Sequence, residues 1–574
     1  MKTFLTAEAA KASDLYTVAA GNTSDQTLIH LAADAVLHTL KTEGYDLSNP
    51  LVLCGSGNNG ADGFALACLL KEAGADVKVL YLGKLHEQPA PTAGKKAHKD
   101  AAASETYSVQ IGAPILSEMS EQCRAHYKMV LAQGIPVLTD LFAEQSPAKQ
   151  ASASQIPTEQ MPEEQTPAKQ ADAPRTEPAP QAEQPAYSLY IDAVYGTGMR
   201  GTIKDKRVRA AFDFINQTDT PAVAVDIPSG VSCDTGAVDA HALCASHTVT
   251  MQKNKAGLVL YPGAEYAGKI TVADIGLIDD PESKAPVYLS LEDEDVDALL
   301  PSRPTRSNKG TFGRVLVVAG ASGMAGAAYL AAMAAYRAGA GLVEIFTTVK
   351  NRTVLQQLIP EAVMTCYAEK PDLKQALKSA VRRADVIVLG CGIGRSKLAA
   401  YSVGYVLKKA TVPVIVDADA LNIIAEKPSL LKKAGKAQKL QTVITPHPVE
   451  AARLLGKQVK GEDVLANPVQ AAEQLCDQYK VNVLLKDART LILSHDKKTR
   501  YINLSGSTAL AGAGSGDILA GMIGGLCAAK TGKQPITANV ALAAYLHGKA
   551  GEAAEQKIGA RAAMARDILD ALTE

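Results

Sequence analysis

Short runs of apolar residues, each followed by a turn and a helix-like stretch, recur along most of this chain of 574 residues. Runs of about four to eight apolar residues suit strands that are buried on both faces, and stretches such as 61–73 have the length of helices. This alternation predicts α/β domains in which helices cover both faces of a mostly parallel sheet. The predicted strands are residues 51–54, 77–82, 189–194, 222–227, 314–320, 386–390, 412–419, 439–446 and 481–486.

The length and one change of composition indicate two domains. At roughly 100–200 residues per domain, 574 residues would allow three or four. The strand–helix pattern is interrupted between the halves by a proline-containing strip at 281–311 that includes the acidic run LEDEDVD. We place the junction near 280–291, with a first domain at 1–280 and a second at 290–574.

A polar insert interrupts the first predicted domain. Residues 143–185 are rich in Pro, Gln, Ala and Glu and carry few large apolar side chains, so burial cannot offset the entropy of ordering them. We therefore expect this insert to be disordered. It contains a near-repeat, EQSPAKQA at 144–151 and EQTPAKQA at 164–171. Duplication within a flexible segment is the simpler explanation, and a partner-binding motif is the alternative.

The overall charge and the cysteines argue against several function classes. The chain has 59 Lys and Arg against 60 Asp and Glu, without the basic excess of a nucleic-acid or anionic-membrane binder. Its nine cysteines are scattered without a C-x-x-C motif, which argues against a zinc site or a disulfide framework and favours a reducing compartment. The uncharged stretch 315–336 is rich in Gly and Ala, and we interpret it as strand–turn–helix. We expect a cytoplasmic protein with no nucleic-acid and no membrane partner.

A glycine-rich corner follows the first predicted strand of the N-terminal half. Residues 55–63, GSGNNGADG, contain G-x-G-x-x-G between a strand and a helix, the formal fingerprint of a dinucleotide site. The usual fingerprint also needs a carboxylate at the end of the next strand to hold a ribose, and residues 80–83, LYLG, carry none. Asn58, Asn59 and Asp62 instead offer oxygen atoms that suit a cation or a sugar.

Two further strand ends in this half carry an acidic residue followed by glycines. Asp192 lies in the motif IDAVYGTG, and Asp226 lies in VDIPSG. One oxygen donor from each corner, namely Asn59, Asp192 and Ser229, would form a site for a hard cation. The alternative for any single corner is that the acidic residue only caps the following helix. Three such corners in one domain favour a site.

These motifs, together with ASHTVTMQKNKAGLVLYPGAEYAG at 245–268, resemble the YjeF N-terminal family, the NAD(P)H-hydrate epimerases, over about residues 10–275. The resemblance implies a Rossmann-like three-layer domain that binds K⁺ and interconverts the C6 epimers of hydrated NADH or NADPH. It implies that Asn59, Asp192 and Ser229 hold K⁺ and that Asp226 is the catalytic acid and base. The residues implied to line the hydrate pocket are Asn58, Asn59, Gly60, Ala61, Asp62, Gly196, Thr197, Gly198, Met199, Arg200, Gly201, Thr202 and Asp226.

A different corner lies near the end of the chain. The motif GAGSGD at 512–517 precedes an apolar helix-like stretch, and backbone N–H groups at a helix start favour an anionic phosphate. Asp517, just inside that start, could orient and deprotonate a hydroxyl group for in-line phosphoryl transfer. Alone, the motif is equally compatible with a helix that Asp517 merely caps.

An ordered series of motifs around Asp517 resembles the YjeF C-terminal family, the ADP- or ATP-dependent NAD(P)H-hydrate dehydratases, over about residues 300–572. The motifs are RVLVVAGASGMAGAA, VLGCGIG, VDADALN, TPHPVE, KDART and AAYLHGKAGEAA. The resemblance implies a ribokinase-like α/β fold that phosphorylates the C6 hydroxyl group of the S hydrate and then releases phosphate, with ADP as co-substrate and Mg²⁺ bridging the phosphates. The implied hydrate contacts are Ala327, Gly394, His447 and Asp517, and the implied nucleotide contacts are Lys486, Asp487, Ala488, Arg489, Thr490 and Gly516.

The chain departs from the two family patterns in the helix-like region LIHLAADAV at 28–36, which fits the epimerase pattern only loosely, and at three single positions. Ala61 stands where the epimerases usually have Gly, so a methyl group is expected to crowd that loop slightly. Cys391 replaces the usual Pro of G-P-G in the dehydratases, which is expected to change the stiffness of the loop more than its chemistry. Asp487 replaces a small residue, and an extra carboxylate beside the nucleotide site is expected to weaken phosphate binding.

Together the two resemblances predict one bifunctional enzyme, because an epimerase would supply the epimer that a dehydratase accepts. The expected ligands are hydrated NADH or NADPH and ADP, and we expect a homo-oligomer, since apolar helices in such folds often support one. One alternative is a ribokinase-type small-molecule kinase fused to a ligand-binding domain. Another is an N-terminal domain that binds or scaffolds nucleotides without catalysis.

Overall fold

The computed structural model describes residues 1–21, 23–86, 112–142, 187–434, 441–531 and 534–572. Their strands form two sheets with helices on both faces, so the predicted α/β class is confirmed. The nine strands predicted from the sequence are all present. The insert expected to be disordered, 143–185, lies outside the described residues.

The elements are numbered in chain order through both sheets. The strands are β1 (Lys2–Leu5), β2 (Pro50–Cys54), β3 (Lys78–Tyr81), β4 (Val137–Leu138), β5 (Leu189–Ala193), β6 (Ala222–Val225), β7 (His247–Met251), β8 (Lys269–Ala273), β9 (Val287–Ser290), β10 (Arg314–Val318), β11 (Leu342–Thr348), β12 (Val363–Tyr367), β13 (Val386–Leu389), β14 (Val414–Val416), β15 (Thr442–Ile444), β16 (Asn482–Leu485), β17 (Thr490–Leu493) and β18 (Arg500–Asn503). The helices are α1 (Ala7–Ala19), α2 (Asp25–Thr42), α3 (Asn58–Glu72), α4 (Glu121–Ala132), α5 (Lys206–Ile215), α6 (Ala256–Val259), α7 (Gly263–Ala267), α8 (Asp293–Leu299), α9 (Ala325–Arg337), α10 (Arg352–Leu358), α11 (Lys370–Arg383), α12 (Lys397–Lys409), α13 (Asp419–Glu426), α14 (Ser429–Lys432), α15 (Pro448–Leu455), α16 (Gly461–Ala466), α17 (Pro468–Tyr479), α18 (Ser515–Ala528), α19 (Ile536–Ile558) and α20 (Ala565–Asp570).

The smaller sheet has seven strands in the order β4-β3-β2-β5-β6-β7-β8, and every neighbouring pair is parallel. Helices α2, α3 and α4 pack on one face, and α5 packs on the other. The chain runs outward from β2 to β4 and then returns to place β5 on the opposite side of β2. The loops after β2 and β5 therefore diverge and leave a crevice at the carboxyl ends of these strands.

The larger sheet has eleven strands in the order β1-β9-β18-β17-β16-β15-β14-β13-β10-β11-β12. Its section from β12 to β16 is parallel, and β16, β17 and β18 continue it as antiparallel neighbours. Helices α9, α18 and α19 pack on one face, whereas α11, α12 and α17 pack on the other. The strand order reverses between β10 and β13, which creates a second crevice of the same kind.

The first strand of the chain belongs to the larger sheet. β1 pairs antiparallel with β9, from Lys2 opposite Ser290 to Leu5 opposite Val287. The sequence interpretation had placed residues 1–280 in the first domain, because the four residues KTFL carry no pattern that would assign them to a distant sheet. The structure thus joins the start of the chain to the sheet of the second half.

The uncharged stretch and the cysteines take the states expected from the sequence. The uncharged stretch 315–336 forms β10, a turn and most of α9, as interpreted from its glycine content. None of the helices in the described parts of the chain is both long and apolar enough to cross a bilayer. All nine cysteines are free thiols.

The side chain of Phe4 provides a test of the β1 assignment. Phe4 is 2% exposed and lies in the core of the larger sheet. We expect Phe4→Ala to lower the free energy of unfolding by about 3 kcal/mol, because it removes a buried aromatic ring and leaves a cavity. Urea denaturation monitored by circular dichroism would measure the change. Lys2→Ala, on the same strand but with an exposed side chain, should cost less than about 1 kcal/mol, and equal effects of the two substitutions would contradict the assignment.

Candidate active sites

The first candidate site lies at the carboxyl ends of β2, β5 and β6. The loop after β2 enters α3 at Asn58, Asp192 is the fourth residue of β5, and Asp226 follows β6 directly. Gly55 and Gly60 allow these loops to pack closely, because a Cβ on either residue would lie 2.1 Å from a backbone carbonyl oxygen. The three corners predicted from the sequence therefore meet.

Asp192 and Ser229 form the buried centre of this site, and both are fully excluded from solvent. The Ser229 N–H donates to Asp192 Oδ2 at 2.7 Å, and the Ser229 hydroxyl group donates to Oδ1 at 2.7 Å. The Val194 N–H also donates to Oδ1, at 3.1 Å. Burial raises the pKa of Asp192 to about 6, although these hydrogen bonds act in the opposite direction.

Asn59 lies beside this pair, packed against the loop that follows β5. A Cβ on Gly196 would lie 3.2 Å from Asn59 Cβ, and Asn59 Nδ2 has no hydrogen-bond partner among the described residues. Within the same residues, no Lys or Arg forms an ion pair with Asp192. A buried carboxylate that accepts from two N–H groups and one hydroxyl group, and that has no cationic side chain, fits a bound cation.

Asp226 pairs with a lysine that the sequence analysis did not single out. Lys255 is 2% exposed, and its Nζ contacts Asp226 Oδ1 and donates to Thr250 Oγ1 at 2.8 Å. The Met251 N–H donates to the Asp226 carboxylate at 3.3 Å. Asp226 has a backbone φ of 68°, a left-handed conformation that costs a non-glycine residue about 1–3 kcal/mol. These contacts hold the carboxylate in one position at the end of β7.

Two further carboxyl groups lie near enough to respond to the charge of Asp226. Burial, together with the carboxylates of Asp226 and Asp14, holds the pKa of Asp62 well above its usual range. Asp14 reaches the site from α1, and partial burial of its carboxyl group together with the charge of Asp226 raises its pKa to about 6. The site therefore combines a lysine-paired carboxylate with a carboxyl group whose pKa lies well above its usual range.

The residues predicted to line the hydrate pocket border the same crevice. Asn58 is exposed at the first position of α3, whereas Gly60 and Ala61 are buried. In the loop after β5, the Arg200 side chain donates to the carbonyl oxygens of Thr197 at 3.2 Å and Met199 at 3.1 Å. In the same loop Gly198, Gly201 and Thr202 are exposed, whereas Gly196 is partly buried. Their contact with a substrate stays a prediction.

The second candidate site lies at the carboxyl ends of β10 and β13. The loop after β13 packs against α9, since a Cβ on Gly392 would lie 2.8 Å from Ala327 Cβ. The Gly394 N–H donates to Asp419 Oδ2 at 2.8 Å. Two predicted hydrate contacts thus border this crevice, Ala327 from the first turn of α9 and Gly394 from the loop after β13.

Asp517 lies in the first turn of α18. This helix begins directly after Gly514, which has a left-handed φ of 94°. Burial raises the pKa of Asp517 to about 7; the Asp417 carboxylate contributes in the same direction, while the Cys391 thiol and Lys486 act against it. Ligand atoms of Cys391, Asp417 and Asp517 lie within 4.8 Å of one another. A carboxyl group with a pKa near neutrality can both accept and return a proton.

Lys486 and Asp417 form a buried ion pair in the same crevice. Lys486 Nζ donates to Asp417 Oδ1 at 2.6 Å, and the Thr445 hydroxyl group donates to the same oxygen at 2.8 Å. Burial opposes the charge of Lys486, but Asp417 and Glu450 outweigh it, so the pKa of Lys486 lies above its usual range. A Cβ on Gly516 would lie 3.4 Å from Lys486 Nζ, so two predicted nucleotide contacts meet here.

The turn between β16 and β17 carries the remaining residues predicted to contact the nucleotide. Asp487 Oδ1 accepts from the Ala488 N–H at 2.8 Å, and the Thr490 hydroxyl group donates to the Asp487 carbonyl oxygen at 3.2 Å. Arg489 Nη1 donates to the Leu504 carbonyl oxygen at 3.0 Å. The Asp487 carboxylate is thus partly satisfied by its own turn.

His447 lies at the rim of this crevice, at the N-cap of α15. Its N–H donates to Glu450 Oε2 at 3.0 Å. Burial and the charge of Lys486 lower the pKa of His447, while burial raises the pKa of Glu450. A neutral imidazole is therefore present at neutral pH, and its contact with the hydrate stays a prediction.

Sequence reasoning missed Lys255 and Asp14 in the first site and Asp417 in the second. Asp417 follows β14 in the way that Asp226 follows β6, so the position at the end of a strand was a usable signal. Lys255 follows a turn after β7, and Asp14 lies on α1. They reach Asp226 only through the tertiary fold, and no local pattern marks them.

Comparison with known proteins decides the family. Residues 315–574 match the family of the NAD(P)H-hydrate dehydratases, and residues 25–131 and 101–257 match the YjeF-related protein N-terminus. The bifunctional NAD(P)H-hydrate repair enzyme Nnr of Moorella thermoacetica is 33% identical over 531 residues, which cover 91% of this chain and 86% of that protein. This chain belongs to the family of bifunctional NAD(P)H-hydrate repair enzymes.

Other members of this family and one solved structure match as well. The bifunctional repair enzyme Nnr of Coxiella burnetii is 30% identical over 95% of this chain and 93% of that protein. A crystal structure of ADP/ATP-dependent NAD(P)H-hydrate dehydratase from Bacillus subtilis, co-crystallised with ATP/Mg²⁺, is 30% identical and covers 50% of this chain and 96% of that one, with a TM-score of 0.43. Membership of the repair-enzyme family confirms both resemblances that the motifs indicated.

Two neighbouring lysines test the importance of the buried ion pair in the first site. Lys255→Met should lower the free energy of unfolding by about 3 kcal/mol, because it leaves the Asp226 carboxylate among other carboxyl groups without its cation. Lys253→Met is the matched control, since Lys253 pairs with the exposed Asp279 and should cost less than about 1 kcal/mol. Chemical denaturation would measure both. Asp226→Asn added to Lys255→Met should restore part of the loss, and no recovery would contradict the electrostatic explanation.

Proposed function

We propose that this chain epimerises the R and S forms of hydrated NADH and NADPH at the first site and dehydrates the S form at the second, converting ADP to AMP and phosphate. One observation supports this most strongly. Each crevice holds a buried lysine–aspartate pair beside a second carboxyl group whose pKa is raised, Asp62 in the first site and Asp517 in the second. Carboxyl groups in environments this different are suited to accepting and returning protons.

In the first site, Asp226 is placed to move a proton at C6 of the hydrate. The hydroxyl proton passes to Asp226, the C6–O bond becomes double, and the C6–N1 bond breaks, with a proton from Asp62 for the ring nitrogen. Reclosure on the other face of C6 reverses these steps and gives the second epimer. Lys255 keeps the Asp226 carboxylate in place throughout. K⁺, held by Asn59, Asp192 and Ser229, would neutralise the buried Asp192 carboxylate and fix the three loops.

In the second site, Asp517 accepts the proton of the C6 hydroxyl group. The C6 hydroxyl oxygen attacks the β-phosphorus of ADP, and AMP leaves. Phosphate is a far better leaving group than hydroxide, so the C6–O bond then breaks, a proton passes from C5 to the departing phosphate, and the C5–C6 double bond of the dihydronicotinamide forms. Lys486 and the backbone N–H groups at the start of α18 would bind the nucleotide phosphates. Mg²⁺ prefers oxygen ligands, and Asp417 offers them whereas the Cys391 thiol does not; bound there, the ion would offset the phosphate charge.

The decisive assay is recovery of the near-ultraviolet absorbance of the dihydronicotinamide from mixed hydrate epimers with ADP and Mg²⁺. Complete recovery supports both activities. Rapid loss of the S form alone would contradict epimerisation, and accumulation of a phosphorylated product would favour the alternative, a ribokinase-type kinase. No recovery from either epimer would contradict both assignments.

Asp517 should control the dehydration step alone. Asp517→Ala is expected to abolish dehydration and to leave epimerisation unchanged, because the two sites are separate.

In the wild-type protein, a base with a pKa of about 7 is mostly protonated below neutrality. The dehydration rate at saturating substrate should therefore rise about tenfold from pH 6 to a plateau near pH 8. A flat profile, or loss of both activities in Asp517→Ala, would contradict this role.

The buried charge of Asp192 predicts how K⁺ affects stability. The pKa of Asp192 in the folded protein, about 6, is above its ordinary value, so ionisation of this group lowers stability as the pH rises from about 4 to 6 and above. K⁺ would bind the ionised form and recover the loss. Replacing tetramethylammonium chloride by KCl should thus raise the Tm more at pH 7.5 than at pH 5. Asp192→Asn should show no such difference, and equal Tm values of the wild-type protein in both salts would exclude the site.

The remaining expectations belong to the same proposal. We assign epimerisation to residues 1–280 and dehydration to residues 290–574, with the contribution of β1 to the larger sheet as an exception to that division. A homo-oligomer, a cytoplasmic location and the absence of nucleic-acid and membrane partners stay predictions. The net charge of −1 supports ligand binding by local backbone and side-chain donors in place of a broad basic surface.

A further inference from the structure

We propose that the second half of the chain positions the first active site through an N-terminal clamp, defined as residues 2–19 with β1 and α1, and that Asp234 is the positioning residue of this clamp. The inference rests on the proposed epimerase function of the first site. It goes beyond that function because it makes one activity depend on contacts with the domain that carries the other.

β1 contacts both halves of the chain along its four residues. It pairs with β9 in the larger sheet, and Phe4 packs in the core of that sheet. At the other end, the Leu5 N–H donates to the Asn254 carbonyl oxygen at 2.9 Å, and Leu5 forms a parallel bridge with Lys255. Lys255 is the lysine that pairs with Asp226. The strand at the edge of the larger sheet therefore also fixes the backbone of the first site's lysine.

α1 continues directly from β1 and is held at its start. The Thr6 hydroxyl group donates to the Pro286 carbonyl oxygen at 2.7 Å, next to β9. The Ala7 N–H donates to Asp234 Oδ1 at 2.6 Å, so the carboxylate satisfies a backbone donor in the first turn and faces the positive end of the helix dipole. Further along the same helix, burial and then the charge of Asp226 raise the pKa of Asp14 to about 6, so the two carboxyl groups interact electrostatically. The position of α1 therefore sets the distance between these two carboxyl groups.

Asp234 also connects α1 to the loop predicted to bind the hydrate and to the larger sheet. Its Oδ2 lies 3.4 Å from Arg200 Nη2, in the loop after β5. Its carbonyl oxygen accepts from the Tyr288 hydroxyl group of β9 at 3.5 Å, and that hydroxyl group accepts from Arg500 Nη1 of β18 at 3.1 Å. Arg500 is in turn 2.8 Å from Glu473. Asp234 thus joins α1, the loop after β5 and the second half of the chain.

Loss of the Asp234 carboxylate would affect the first site only. The start of α1 and Arg200 would lose their shared partner, so Asp14 and the pocket loop would gain freedom relative to Asp226. The groups of the second site, Asp517 and Lys486, make no hydrogen bond or ion pair with Asp234 among the described residues. A positioning role therefore predicts that the two activities respond differently.

The test uses the full chain with Asp234→Ala. Epimerisation of the R hydrate, followed by chromatography, should show a KM raised about tenfold, because binding must now order α1 and the pocket loop. Dehydration of the purified S hydrate with ADP and Mg²⁺ should keep its kcat and KM. Asp279→Ala is the matched control, since Asp279 forms an exposed pair with Lys253 and should change neither activity. Asp234→Asn keeps an acceptor for the Ala7 N–H but loses the charge opposite Arg200, and should fall between the wild-type protein and Asp234→Ala.

If Asp234→Ala folds poorly, Tyr288→Phe tests the same contact with a smaller change. Tyr288→Phe removes only the hydroxyl group between Asp234 and Arg500, and should raise the KM for epimerisation about twofold to threefold with dehydration unchanged. Wild-type epimerisation kinetics in both variants would overturn the proposal. An equal loss of both activities would also overturn it, because that result indicates general destabilisation. Failure of the wild-type protein to epimerise would instead contradict the proposed function of the first site.

Discussion

The reversal of strand order within the parallel part of each sheet is the constraint on which both sites depend. Parallel strands are covered on both faces, so their side chains are apolar and polar groups are confined to the strand ends. The carboxyl ends of neighbouring strands lie along one edge, and a crevice opens where consecutive connections turn to opposite sides. In the smaller sheet this point lies between β2 and β5, and in the larger sheet between β10 and β13. The residues proposed to act in catalysis are gathered around these two points.

Both crevices contain a buried lysine that is paired with an aspartate. Lys255 pairs with Asp226 and Lys486 pairs with Asp417, so each site holds a cation that burial alone would disfavour. A further carboxyl group beside each pair has a raised pKa because it is removed from water and faces an existing negative charge. Asp192 differs, since among the described residues it is buried with hydrogen bonds and no cationic side chain. That difference distinguishes the proposed cation site from the proposed proton-transfer sites.

The two sites were predictable from the sequence to the extent that their residues follow strands. Asn59, Asp192 and Ser229 could be grouped before the fold was known, because three strand ends in one parallel sheet must converge. Lys486 and Gly516 were grouped by the family motifs, and the fold places them in contact. Lys255 and Asp14 were not predictable in this way, since a turn and an N-terminal helix carry them. β1 escaped prediction because a strand of four residues has too short a pattern to indicate its partner.

The sequence by itself determined the α/β class, the glycine-rich corners, the family, and the presence of two regions that each resemble a different enzyme family. These features depend on residues close together in the chain, where periodicity and turn chemistry act locally. Only the tertiary structure decided which charges are buried and paired, which carboxyl groups have raised pKa values, and that the first strand joins the second half. The partners involved are far apart in the sequence: Lys486 and Asp417 are separated by 69 residues, and Ala7 and Asp234 by 227. Burial and Coulomb interactions depend on distance in space, which no local pattern specifies.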